Sequence, residues 1–435
     1  MFRMNFPQVK KIFFVRLLFA LCLLAHCGFS FSADKYADVS AMEISKKRPL
    51  SFAVRYDYGG VFQTNDFVKG GHFDLMSQEW QYAAEREVRD FTSLGFQMNV
   101  GPDPTSWQSR LYRNPYYGFG LAFPRFDDDR LGKPFSFYAT YGARIFHLTD
   151  WLKLNYEINF GYSTNWGHYD RFDNPDNVAI GWKHNAHISI FPYFKIGLPG
   201  PLSLKVGASI THFSNGATQM PNRGMNNYSF SAALAYDIHD KENEVKKDTS
   251  LQAPKESLHL EHDIILTRSF RQIYYDGAGT DLTTQYVEYR HPIYAVSYAP
   301  MLKWMYKYRC GLSLDFMYDE SVGARADYIE DKADGKYYTH VVLGNRRNRF
   351  NLGVSVKNEV VMHGFSLFCN IGYDFIHGDD ALTRMYEVVG VKVQPIGQLF
   401  AIVGVRAAYF SKAQYICWSL GYTFKGKPLG RSTDS

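Results

Sequence analysis

Cysteine is scarce in this chain, with five in 435 residues. Cys22 and Cys27 fall in an apolar amino-terminal stretch, leaving Cys310, Cys369 and Cys417 scattered along the rest. Three such residues give neither a disulfide framework nor a zinc spacing. Proline is also sparse at 17 residues, and charged residues make up only 21% against a hydrophobic 46%, which excludes a largely disordered chain. A mean hydropathy of -0.29 excludes a bundle of membrane-spanning helices. The formal charge of +5 is a property of the first 32 residues, where Arg3, Lys10, Lys11 and Arg16 stand without an acid. Without them 44 basic residues face 43 acidic ones, and no electrostatic motive for nucleic-acid binding remains. No G-x-S-x-G elbow, P-loop or H-E-x-x-H occurs, and no cofactor or metal site is expected.

What the chain has in excess is aromatic side chains, at 17%, with 32 Tyr and 34 Phe. At the amino terminus, Lys10, Lys11 and Arg16 precede the apolar run Leu17 to Ala25 and the small-residue stretch GFSFSA. This is the layout of a secretory signal over residues 1–32, too short to anchor permanently, and it predicts export.

From Trp151 onward the sequence alternates. Leu152, Leu154, Tyr156, Ile158, Phe160 and Tyr162 share one parity, and Lys153, Asn155, Glu157, Asn159, Gly161 and Ser163 the other. Such a pattern is a β-strand with one apolar and one wet face. Similar runs occur at 50–62, 89–101, 116–126, 135–146, 179–192, 201–215 and 228–238. A soluble sandwich also alternates, but many polar-face residues here are Gly, Ser and Ala. Strands of about ten residues with aromatic ends fit a membrane barrel with aromatic girdles. Short turns at 147–150 and 196–200, against long connections at 63–88, 127–134, 165–178 and 215–227, follow the same outer-membrane habit. The connection at 102–115 is longer than that rule prefers.

A polar stretch at 240–256 divides the chain into repeats at 50–239 and 257–425. Residues 201–216 are echoed at 397–413, 227–238 at 413–424, and 152–162 at 365–375. The expected fold is an all-β, antiparallel transmembrane β-barrel of about 14 to 16 strands from two fused repeats, with two tandem small barrels as the alternative.

One short motif carries chemistry. The apolar face Leu202, Leu204, Val206, Ala208, Ile210 ends in His212 and Ser214. Residues two apart on a strand project to the same side, so imidazole and hydroxyl can lean into hydrogen-bond reach, as a serine nucleophile and its base require. On a lipid-facing stripe at the outer end of a strand, the substrate within reach is outer-leaflet glycolipid. An isolated H-x-S is commonly an ordinary interfacial pair, and the longer context argues for more. HFSNGATQMPNRGMN at 212–226 resembles the active-site segment of the PagL-type lipid A 3-O-deacylase, or acyloxyacyl hydrolase, family through His212, Ser214, Asn215, Pro221, Asn222 and Gly224. SWQSRLYRNPYYGFGLAF at 106–123 and NPDNVAIG at 174–181 are similar to that family as well, so the resemblance spans roughly 50–239.

The resemblance implies an outer-membrane enzyme removing an ester-linked acyl chain from lipopolysaccharide. It makes Ser214 the nucleophile, His212 the general base, and Asn215 with Gly216 the oxyanion donors. The family places an acid, usually Glu, fourteen residues after the His, where this chain has Asn226. An amide fixes a tautomer but does not offset imidazolium charge, which puts the rate in question. The competing expectation is a structural or pore-forming barrel that keeps the motif without chemistry. The second repeat has Tyr409 and Ser411 at the equivalent positions, and so lacks a base. Asp127, Asp128, Asp129, Asp379 and Asp380 could bind divalent cations that bridge lipopolysaccharide phosphates but read first as solvated loop acids, and His184 on the sixth strand, which could lie near His212, reads first as an interfacial residue.

Overall fold

The computed structural model describes residues 48–429, apart from 75, 78, 103–105, 239–257, 274–288, 331–336, 379–382 and 411. The expected signal, the linker at 240–256, Asp379, Asp380 and Ser411 therefore lie outside the described residues, in whole or in part.

The alternating segments form two closed antiparallel barrels of eight strands each. The first contains β1 (Leu50–Val61), β4 (Asp90–Val100), β5 (Tyr116–Phe126), β6 (Gly132–His147), β7 (Leu152–Trp166), β8 (Asn185–Gly197), β9 (Leu202–Ser214) and β10 (Met225–Ile238). It closes because β1 pairs with both β4 and β10. Between β1 and β4 rises a separate hairpin of β2 (Lys69–Asp74) and β3 (Glu79–Glu87).

The second barrel contains β11 (His259–Arg271), β12 (His291–Trp304), β13 (Tyr308–Asp319), β16 (Phe350–Val361), β17 (Phe365–Ile376), β18 (Met385–Ile396), β19 (Leu399–Ala408) and β20 (Lys412–Pro428). It closes through β11, which pairs with β12 and β20. The hairpin of β14 (Arg325–Glu330) and β15 (Tyr337–Val342) is inserted between β13 and β16. Of the two arrangements the sequence leaves open, the structure takes the tandem small barrels, so 14 to 16 strands do not close as one. The echoed segments hold the same ordinal places: β7 and β17 are fifth, β9 and β19 seventh, β10 and β20 eighth.

Both barrels are inverted relative to a soluble protein. Tyr58, Phe230, Leu312, Trp304 and Leu420 are at least 60% exposed on the outer face, while Glu157, Lys205, Asp263 and Lys392 are buried inside. Lipid satisfies the outer apolar face, whereas buried charges must be paired. In the first barrel Lys205 meets Glu157, and Arg55 meets Asp57 at 2.8 Å. In the second, Arg309 meets Glu261, Asp263 and Glu359 at 2.9, 3.0 and 2.6 Å, and Lys392 meets Asp263 at 2.7 Å. An eight-stranded barrel is just wide enough for its interior side chains to fill it.

One strand boundary differs from the sequence reading. The alternation at 179–192 predicts a strand from 179, but β8 starts at Asn185. Val178, Ala179 and Ile180 instead fold inward with Phe67, Val88, Leu131, Trp166, Phe213 and Met225 into an apolar cluster at the long-loop end of the first barrel. Asn177 accepts the Ile180 N–H at 3.1 Å, and Val178 and Ala179 carbonyls accept the N–H groups of Arg223 and Gly224. Burial of these apolar residues outweighs continuation of the ladder. Consequently His184 precedes β8 rather than lying on it. The long connection at 102–115 carries a one-turn helix, Trp107–Leu111.

Candidate active site

The site lies where β9 and β10 meet the long loops. Antiparallel register sets Asn226 directly opposite His212. His212, Ser214 and Asn226 share the outward parity and are all half-buried, while Phe213 and Met225 between them are fully buried in the apolar cluster. Those inward anchors fix the strand ends, and the polar side chains are held against them.

The resulting chain of hydrogen bonds is continuous. Ser214 Oγ lies 2.8 Å from His212 Nε2, and His212 Nδ1 lies 2.7 Å from Asn226 Oδ1. Asn226 Nδ2 donates to Thr64 Oγ1 at 3.2 Å, which orients the amide with its oxygen toward the ring. An oxygen acceptor at Nδ1 selects the tautomer protonated there. Nε2 is then left with the lone pair that faces the serine hydroxyl.

Asn215 is buried, and its backbone N–H donates to Asn222 Oδ1 at 3.1 Å. Gly216 follows in a left-handed conformation, φ +59°, that bends the chain away after the serine. Gly224 also has a positive φ, +73°, and a methyl group there would stand 3.0 Å from His212 Cε1 and 3.5 Å from Ser214 Cβ. Only a glycine lets the backbone pass that close beneath the pair.

Two supporting residues are not legible in the motif. Asn65 is buried and donates to the Gly224 carbonyl at 3.0 Å while accepting the Val68 N–H at 3.1 Å. Thr64 beside it holds Asn226. Both lie some 150 residues upstream, on the loop after β1, and no local spacing connects them to the H-x-S segment.

Among the described residues, the other sequence candidates do not join this group. Asp127 accepts the Arg89 N–H, and Asp128 caps a 3-10 turn while pairing with Arg130. Among the described residues no cluster of three or more His, Cys, Asp or Glu is arranged to hold a metal ion. Among the described residues, Cys310, Cys369 and Cys417 form no disulfide. In the second barrel β19 stops at Ala408, and Tyr409 and Phe410 turn the chain with positive φ values of 55° and 53°. The outward stripe of that seventh strand ends without a His–Ser pair.

With this geometry in view, residues 91–235 match the model of the lipid A 3-O-deacylase (PagL) family, and residues 260–426 match that of the acyloxyacyl hydrolase carboxy-terminal domain. The chain belongs to this family. It is accordingly an outer-membrane barrel protein, of a family whose members are lipid A ester hydrolases. No curated protein matches the chain. Similar solved structures include the siderophore receptor PirA from Pseudomonas aeruginosa, 9% identical, covering 88% of this chain and 82% of that one at a TM-score of 0.22. A porin mutant from Rh. blastica is 8% identical and covers 86% and 99% of the two chains at 0.15. Likenesses this loose carry no argument about the site.

Proposed function

We propose that the first barrel deacylates lipid A, with Ser214 as nucleophile and His212 as general base. The observation that carries this reading is the unbroken chain from Ser214 Oγ through His212 to Asn226, at the outer end of a lipid-facing stripe. In this mechanism Ser214 Oγ bonds to the ester carbonyl carbon and gives its proton to His212 Nε2. The bond from that carbonyl carbon to the ester's alcohol oxygen then breaks, and the same proton passes to the leaving alcohol. Water repeats the cycle on the acyl-serine, releasing a fatty acid and returning the proton to Ser214.

Asn226 orients the imidazole in this scheme. Because Asn222 occupies the Asn215 N–H, the proposed oxyanion donors are the Asn215 side-chain amide and the Gly216 N–H on the turn after the nucleophile. The pore reading has less support, since the interiors of both barrels carry closely paired charges. The second barrel is proposed as a scaffold rather than a second catalyst, with the domains divided at residues 240–256.

The test is mass spectrometry of lipid A from outer membranes with and without the protein. Loss of one ester-linked acyl chain is expected only in its presence. An identical lipid A profile, together with no fatty-acid release by purified protein in lipopolysaccharide micelles, would end this reading.

Gly224→Ala separates fit from chemistry. The positive φ alone costs about 1 kcal/mol for a residue with a side chain. The added methyl also pushes on His212, so hydrolysis should fall roughly tenfold or more while the barrel still folds. Unfolding in denaturant alongside fatty-acid release distinguishes the two effects.

A further inference from the structure

Ser214 has two flanks on the outer face of the first barrel. On the β10 side the His212 ring fills the space between the serine and Asn226. On the β8 side the cross-strand partner of Ser214 is Ala186, and the partner of Ala186 on β7 is Tyr162. With about 4.8 Å between strands, Tyr162 stands roughly 10 Å from the serine. Ala186 has only a methyl group, which leaves a shelf one strand wide beside the nucleophile.

Just beyond that shelf, toward the long loops, polar and aromatic groups converge. The Tyr162 ring stacks on His184 at 5.6 Å and 22°, and Trp182 meets the same imidazole edge-on at 4.8 Å. His184 Nδ1 lies 3.0 Å from Thr164 Oγ1 and also meets the Tyr162 hydroxyl. Lys183 is exposed and makes no ion pair among the described residues. Desolvation, with the charges of Lys183 and His168, holds His184 below the usual histidine range.

We propose that this cluster is a headgroup subsite for a phosphorylated aminosugar, whose ring lies on Trp182 and Tyr162 and whose phosphate meets Lys183. Depth supports it: residues on the strand side of Ser214 meet the acyl chain, and those on the loop side meet the polar headgroup. Chemistry supports it as well, because stacked aromatic faces flanked by hydrogen-bonding groups and an unpaired cation suit a sugar phosphate better than hydrocarbon. The inference rests on the deacylase reading for its substrate, but its recognition chemistry is separable.

The experiment uses full-length protein in detergent, with Trp182→Ala and Lys183→Glu. The readout is the ratio of kcat/KM for lipopolysaccharide to kcat/KM for a p-nitrophenyl acyl ester, expected to fall about tenfold in each variant. A parallel titration measures binding of the deacylated, phosphorylated glucosamine disaccharide to Ser214→Ala protein, expected to weaken about tenfold when Lys183→Glu is added. An unchanged ratio with unchanged disaccharide binding overturns the subsite. A selective loss against phosphatidylethanolamine instead of lipopolysaccharide overturns the sugar assignment in favour of a phospholipid. If the wild type hydrolyses no ester, the deacylase reading fails and the titration alone decides the subsite.

Discussion

Ser214→Ala and His212→Ala should each lower fatty-acid release from lipopolysaccharide by a factor of about a thousand or more, with the barrel intact. Dissected serine triads lose rate on that scale when the nucleophile or its base is removed. The two losses should not add. Once the serine is gone the 2.8 Å contact with Nε2 has no proton to transfer, so the double variant should resemble either single one. Both side chains project outward at the strand end, away from the buried core, so little folding energy is at stake. The measurement is fatty-acid release in detergent by the single and double variants, beside the heat-dependent gel shift of a folded barrel. Activity surviving Ser214→Ala would move the nucleophile elsewhere.

Asn226→Ala should lower turnover by about ten- to a thousandfold, less than loss of the serine. Without the 2.7 Å acceptor at Nδ1 the imidazole still reaches the productive tautomer part of the time. Asn226→Asp keeps the length of the side chain and adds the charge that the family's acid supplies. It should raise turnover at neutral pH, since a carboxylate stabilises the imidazolium formed as Ser214 attacks. The acid limb of its pH–rate profile should move to higher pH, because the protonated ring, which cannot act as base, is favoured by the same charge. Asn226→Glu should also be tolerated, the family having Glu at this spacing. Turnover unchanged in Asn226→Ala would assign the orienting role to another group, with Thr64 the first to vary.

Much of this protein is written in local sequence. Period-two alternation depends only on which face each side chain meets, so strands, their lipid-facing parity and the shared face of His212, Ser214 and Asn226 are legible residue by residue. The short and long connections and the internal echoes are legible for the same reason. Closure is not: alternation is identical for eight strands or sixteen, and only the pairing of β1 with β10, and of β11 with β20, decided for two small barrels. The start of β8 at Asn185 was likewise a tertiary decision, because Val178, Ala179 and Ile180 are buried in an apolar cluster with residues from distant segments such as Phe67, Leu131 and Trp166. So were the reach of Asn65 to Gly224 and of Thr64 to Asn226, which join segments some 160 residues apart. Sequence sets which way each side chain faces; long-range backbone pairing alone sets what stands opposite it.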